Sequence, residues 1–215
     1  MKSRLILFLS LLLFVQISFA TDIYSGPVNG NWDQAGSPYL IHGQINIPTD
    51  QSLTIEAGVE IIFQDHYKFI VYGKLIAEGT VNDTIVFTAQ DTDAGWYGLR
   101  FSDTSSNGQD DSILRYCLFE YGNALTGNEE SNRGGALSCS YSSNVQIINC
   151  RFTNNQADYG GAISLYESDI LMQNCLIEYN FASHDAGGIL IRNNSAPLLD
   201  NIILQNNSCN YDGGG

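Results

Sequence analysis

Two adjacent carboxylates, Asp110-Asp111, are the first residues in this sequence that could do chemistry. Glycoside hydrolysis uses a pair of carboxyl groups, one donating a proton and one activating water or attacking. Their setting, Gly108-Gln109-Asp110-Asp111, is a polar loop, where charge ordinarily serves solvation. Oxygen clusters at Asp91-Thr92-Asp93 and Glu129-Glu130 offer ligands to Ca²⁺, but no EF-hand or nonapeptide calcium spacing surrounds them. His42, His66 and His184 stand far apart, outside any metal-ligand spacing. Removing a proton beside a uronate carboxyl needs a base. The downstream half offers only Arg115, Arg133, Arg151 and Arg192, and no Lys. Tyr67, Tyr72, Tyr97, Tyr116, Tyr121, Tyr159 and Tyr179 could form a sugar-stacking face, although aromatics more commonly pack along strands. No set converges, so the sequence assigns no catalytic, cofactor-binding or metal-binding residue.

The elements that would position these groups are repeats. Glycine pairs stand at Gly134-Gly135, Gly160-Gly161, Gly187-Gly188 and Gly213-Gly214, at steps of 26, 27 and 26 residues. Such a period marks a solenoid. Each unit reads as three short period-two runs with polar corners, too short for helical faces. The first run begins Ala136-Leu137, Ala162-Ile163 and Ile189-Leu190, with its inward phase left open. The second holds Val145 and Ile147, Ile170 and Met172, Pro197 and Leu199; the third holds Cys150 and Phe152, Cys175 and Ile177, Asn201 and Ile203. Asn155, Asn180 and Asn206 close the units and suggest a stacked amide ladder. The expected fold is an all-β, single-stranded parallel β-helix of about six coils, roughly 29 Å tall at the interstrand spacing.

The ends and the composition set limits. Lys2 and Arg4, an apolar run from Leu5 to Val15 and Ser18-Phe19-Ala20 form an export signal over residues 1–20, cleaved before Thr21. Residues 21–42, with Trp32 and Tyr39, are expected to cap a β-helix over residues 43–215. The last residues fall where a further repeat is due, which suggests a fragment of a longer protein. The chain carries 9 basic and 23 acidic residues, a net charge of −14, more negative still without Lys2 and Arg4. That excludes nucleic acid as a partner and argues against binding polyanions through charge alone. No segment after the signal could insert in a membrane. Five cysteines, Cys117, Cys139, Cys150, Cys175 and Cys209, remain after export. Cys117, Cys150 and Cys175 share a repeated position. Stacked Cβ atoms lie about 4.8 Å apart, whereas a disulfide prefers ~3.8 Å, so buried free thiols are expected.

Two resemblances follow from these motifs. Gly134-Gly135-Ala136-Leu137, Gly160-Gly161-Ala162-Ile163 and Phe152-Thr153-Asn154-Asn155 are similar to the GGA[ILV] and FxxN motifs of chlamydial-type polymorphic outer membrane protein repeats. The third unit departs from them at Gly187-Gly188-Ile189, Ile177 and Ile203. The likeness implies a right-handed β-helix at a cell surface, often in adhesion. Residues 37–101 resemble the opening coils of secreted right-handed β-helix repeat proteins of environmental Gram-negative bacteria, through Ile47-Pro48, Leu53-Thr54-Ile55-Glu56-Ala57-Gly58-Val59 and Trp96-Tyr97-Gly98-Leu99-Arg100-Phe101. The implied location is extracellular or at the outer-membrane surface. This pectin-lyase-like fold also implies polygalacturonases, whose paired aspartates Asp110-Asp111 resemble. That family's Gly-His-Gly and Arg-x-Lys are missing, and His184-Asp185 and Arg192-Asn193-Asn194 do not replace them. The expectation is a non-catalytic surface scaffold contacting an extracellular polysaccharide or a surface protein. The alternative is a polysaccharide lyase or glycoside hydrolase acting through the loops at 102–111 and 122–133 or through residues beyond Gly215.

Overall fold

A computed structural model describes residues 20–102, 111–125, 132–142 and 144–214. The expected signal lies outside them except for Ala20, as do Asp110, Glu129 and Glu130. No helix among the described residues is long and apolar enough to cross a membrane.

Three parallel sheets wind together. The first has eight strands, beginning Thr21–Ile23, Tyr39–Ile41 and Glu60–Phe63 and ending Leu176–Glu178 and Ile203–Gln205. The second and third have seven each, running from Gly26–Pro27 to Ile189–Arg192 and from Gly30–Trp32 to Leu198–Asp200. The chain visits the sheets in turn, and each strand pairs with its equivalent one coil on, which makes a parallel β-helix. Eight stacked strands span about 34 Å at the interstrand spacing.

Strict alternation builds the core. Ile45–Ile47 and Phe69–Val71 each bury their outer two residues and turn the middle one outward. Register then stacks like on like. Tyr39, Ile61, Phe87, Phe119, Phe152, Ile177 and Leu204 form one inward column of the first sheet. Phe87, Phe119 and Phe152 stack with centroids 4.7 and 4.9 Å apart and planes within 9° and 8°. The strand spacing imposes this distance, so parallel rings come without further design. Each such ring contributes about 1.5–3 kcal/mol through burial.

Several expectations change. Residues 21–32 are not only a cap: they form a full coil paired in register with the next, which raises the complete coils from six to seven. Strands of two or three residues containing Gly26, Pro27 and Gly30 hide that coil. Trp32 still shields the core, lying 4.6 Å from Tyr39 at an angle of 10°. The inward phase is now fixed, with Leu137, Ile163 and Ile189 in one column. Gly187-Gly188 therefore sits one residue out of step with the other pairs. Gly134 (φ 63°), Gly160 (φ 62°) and Ala186 (φ 58°) share the left-handed corner. A non-glycine residue there costs about 1–2 kcal/mol. The second glycine has a different role. A Cβ on Gly161 would meet the carbonyl oxygens of Gly187 at 2.3 Å and Phe181 at 2.5 Å.

The last unit shifts as well. Ile177 stacks on Leu204, not Ile203, and Asn201 occupies a corner at φ 52°. The ladder runs Asn155, Asn180, Asn207 rather than through Asn206. Nδ2 of Asn155 donates to Oδ1 of Asn180 (3.0 Å), and Nδ2 of Asn180 to Oδ1 of Asn207 (2.9 Å). The downstream coils also gain a fourth side, the short strands Asn123–Ala124, Gln156–Ala157, Phe181–Ala182 and Ser208–Cys209. The ladder turns the chain into that side, which a three-run reading omits. Cys117, Cys150 and Cys175 are buried, each thiol 3.3–3.5 Å from backbone carbonyls. Burial, aided by the neighbouring thiol of Cys150, pushes Cys175 up to about 12.

Candidate functional site

Outward positions distinguish the sheets. Along the first, Glu120 accepts from Thr88 Oγ1 (3.0 Å), and Glu178 meets Arg151 Nη2 (2.6 Å) and Gln205 Nε2 (2.6 Å). Glu120 and Glu178 lie two coils apart in one outward column, because Glu120 pairs with Thr153 and Thr153 with Glu178. Two coils is about 9.6 Å, at the upper edge of the ~6.5–9.5 Å separation of inverting glycosidases. Such an enzyme also needs one carboxyl raised to serve as acid. Glu178 is instead held below the usual carboxylate range, first by the Gln205 hydrogen bond and then by Arg151. On this face Glu178 is ion-paired and Glu120 hydrogen-bonded within the sheet.

The second sheet differs. None of its seven strands contains Asp or Glu. Alternation turns Arg100, Ser138 and Ser164 outward in one column, and Ser102, Ser140, Tyr166 and Arg192 in the next. All of these except Arg100, with Arg133, Tyr141 and Asn193, line an open groove of about 530 Å³. Tyr166 is fixed at the centre. Asn193 Nδ2 donates to its hydroxyl (2.9 Å), and Tyr141 meets it edge-on at 5.4 Å and 72°. Tyr141 stands more than half exposed, at 55%.

Upstream on the same face, Lys68 Nζ lies 4.2 Å above the Tyr97 ring and the Arg100 guanidinium 5.0 Å from it. Arg100 donates to the carbonyls of Arg133 (2.7 Å), Gly134 (2.6 Å) and Tyr97. These bonds clamp the corner where Arg133 enters the groove. Burial lowers Arg100 to about 10, still cationic at neutral pH, and burial plus the Arg100 charge lowers Lys68.

The residues singled out by sequence scatter. Asp111 is exposed beside the third sheet, in a smaller hollow with Asn144, Asp169 and Ala196. Asp91 accepts the backbone N–H groups of Asp93 (3.0 Å) and Ala94 (3.1 Å), the role of a turn residue. No group of three or more metal-ligating side chains occurs among the described residues. His42 meets Asp22 (2.7 Å), His66 meets the Asn123 carbonyl (2.6 Å), and His184 stacks between Tyr159 (4.9 Å) and Tyr211 (5.3 Å). Arg115 and Arg151 pair with Glu78 and Glu178, whereas Arg133 and Arg192 line the groove. Tyr116, Tyr121 and Tyr179 occupy left-handed corners (φ 46°, 57° and 56°), so the seven tyrosines form no single face. Tyr141, Tyr166 and the serine floor were missed. Their signal was recurrence in register, Ser138 over Ser164 and Ser140 beside Tyr166, visible only once the coils are aligned.

No curated protein and no solved structure matches the chain. A family model, described as a right handed beta helix region, matches residues 57–215, nearly three quarters of the sequence and all the coils that line the groove. This match agrees with the parallel winding of all three sheets and fixes its hand: the chain belongs to the right-handed β-helix family.

Proposed function

We propose that this protein is a secreted or cell-surface β-helix scaffold that binds an extended polysaccharide along the outer face of its second sheet. The observation that carries the reading is the groove, where a fixed tyrosine pair rises beside a serine floor. Sugar rings present apolar faces and hydroxyl edges. Aromatic side chains offer the first a broad apolar surface, and serine hydroxyls both donate and accept for the second. The groove crosses successive coils, so it offers a chain-shaped ligand repeated contacts.

Affinity electrophoresis and calorimetry against a panel of neutral and acidic polysaccharides test the reading. Tyr166→Ala is expected to weaken binding about tenfold, equivalent to ~1.4 kcal/mol. Thermal stability should stay near that of the parent, because Tyr166 faces outward. Failure to bind any polysaccharide, or binding indifferent to Tyr166→Ala, would falsify it.

A further inference from the structure

The distribution of charge takes the polysaccharide reading further and rests on it. The chain carries 23 acidic residues against 9 basic ones, yet the seven strands of the second sheet contain no acid. The first sheet's strands carry Asp22, Glu60, Glu120 and Glu178, and the third's carry Glu78 and Asp200, whereas the second's charged strand residues are Arg100 and Arg192 alone. Lys68, Arg100, Arg133 and Arg192 all lie along this face. Of the other arginines of the coils, Arg151 is hydrogen-bonded to Glu178, and Arg115 lies 3.7 Å from Glu78 with no hydrogen bond from its Nε. Among the described residues neither Arg133 nor Arg192 makes an ion pair; the Arg133 guanidinium lies 5.9 Å from the Tyr159 ring, and its buried Nε, like those of Arg100 and Arg115, has no hydrogen-bond acceptor. The two guanidinium groups flank the serine floor and face into the same groove.

We infer that the groove selects glycans bearing negative charge, carboxylate or sulfate, with Arg133 and Arg192 as the charge-reading residues and Tyr166 and the serines holding the sugar between them. Guanidinium groups suit both anions, because their planar donor fork meets two oxygens at once. The net charge of the chain opposes a polyanion at long range. At physiological ionic strength that repulsion is screened beyond about 8 Å, so the local cations decide the contact.

The test uses the full chain and three probes: polygalacturonate, the same polymer after carboxyl reduction, and a sulfated galactan. At least one charged polymer is expected to bind tenfold or more tightly than the reduced one. Preference for polygalacturonate identifies carboxylate as the anion read, preference for the galactan identifies sulfate, and equal binding of both supports recognition of charge alone. Arg133→Gln with Arg192→Gln should remove that advantage, bringing the charged polymer's affinity down to that of the reduced polymer measured on the same variant. Arg192→Gln alone, at an exposed position, should remove part of it and keeps the test open if the double variant misfolds. Arg115→Gln, on another face, should change nothing. Equal binding of charged and reduced polymers overturns the selectivity while leaving the polysaccharide reading standing. A charge preference that survives both arginine changes overturns the assignment to this groove. Binding of none of the three sinks the polysaccharide reading itself.

Discussion

The first and second sheets are the same device seen from inside and different devices seen from outside. Inward, both present unbroken apolar columns, Phe87, Phe119 and Phe152 in one, Leu99, Leu137 and Ile163 in the other. Outward, the first sheet pairs its polar side chains across coils, Glu178 with Arg151 and Gln205 and Glu120 with Thr88. The second leaves its arginines without ion pairs among the described residues and carries no carboxylate. A solenoid core constrains only alternate residues. The others are free to vary, and here the first face pairs Glu178 with Arg151 while the second leaves Arg192 exposed and without an ion pair among the described residues.

The largest effects should come from the shared inward side. Phe119→Ala is expected to cost about 4 kcal/mol and Leu165→Ala about 3 kcal/mol in chemical denaturation, since both side chains are fully buried. A near-neutral result for either would break the claim that the two sheets are equivalent inside.

A smaller effect separates the outer faces. Glu178→Gln should cost about 1 kcal/mol at neutral pH, the scale of a partly exposed ion pair, whereas Arg192→Gln should stay within about 0.5 kcal/mol. The pH dependence gives the direction. The folded pKa of Glu178 is depressed below its ordinary 4.5, so its contribution is full above that value and is lost as pH falls through the lowered folded pKa. Denaturation curves between neutral and acid pH should show that loss in the parent and its absence in Glu178→Gln. An equal acid slope in both would show that the first face is no more self-paired than the second.

Much of the inward side was legible in the sequence, because a period of two and a unit of about 26 residues repeat together. Register was less legible. The glycine pairs are visible, but Ala186 takes the left-handed corner in the third unit, so counting from Gly187 slips the coil by one residue. The same kind of slip placed Asn206 in the ladder instead of Asn207. The first coil escaped notice because Gly26–Pro27 and Gly30–Trp32 are too short to show alternation. The groove was illegible for another reason. A summed charge of −14 argues against anionic ligands, and only folding shows that none of that charge lies on the strands of the second sheet. Ser138, Tyr166 and Arg192 belong to three different coils, and no local motif joins them.

Hydrogen exchange with and without an acidic oligosaccharide tests the division between the faces most directly. The expected result is slowed exchange along Leu137–Ser140, Ile163–Tyr166 and Ile189–Arg192, with Cys117–Glu120, Arg151–Thr153 and Leu176–Glu178 unchanged. Protection centred on the first sheet, or spread evenly around the coils, would contradict the assignment of ligand binding to the second.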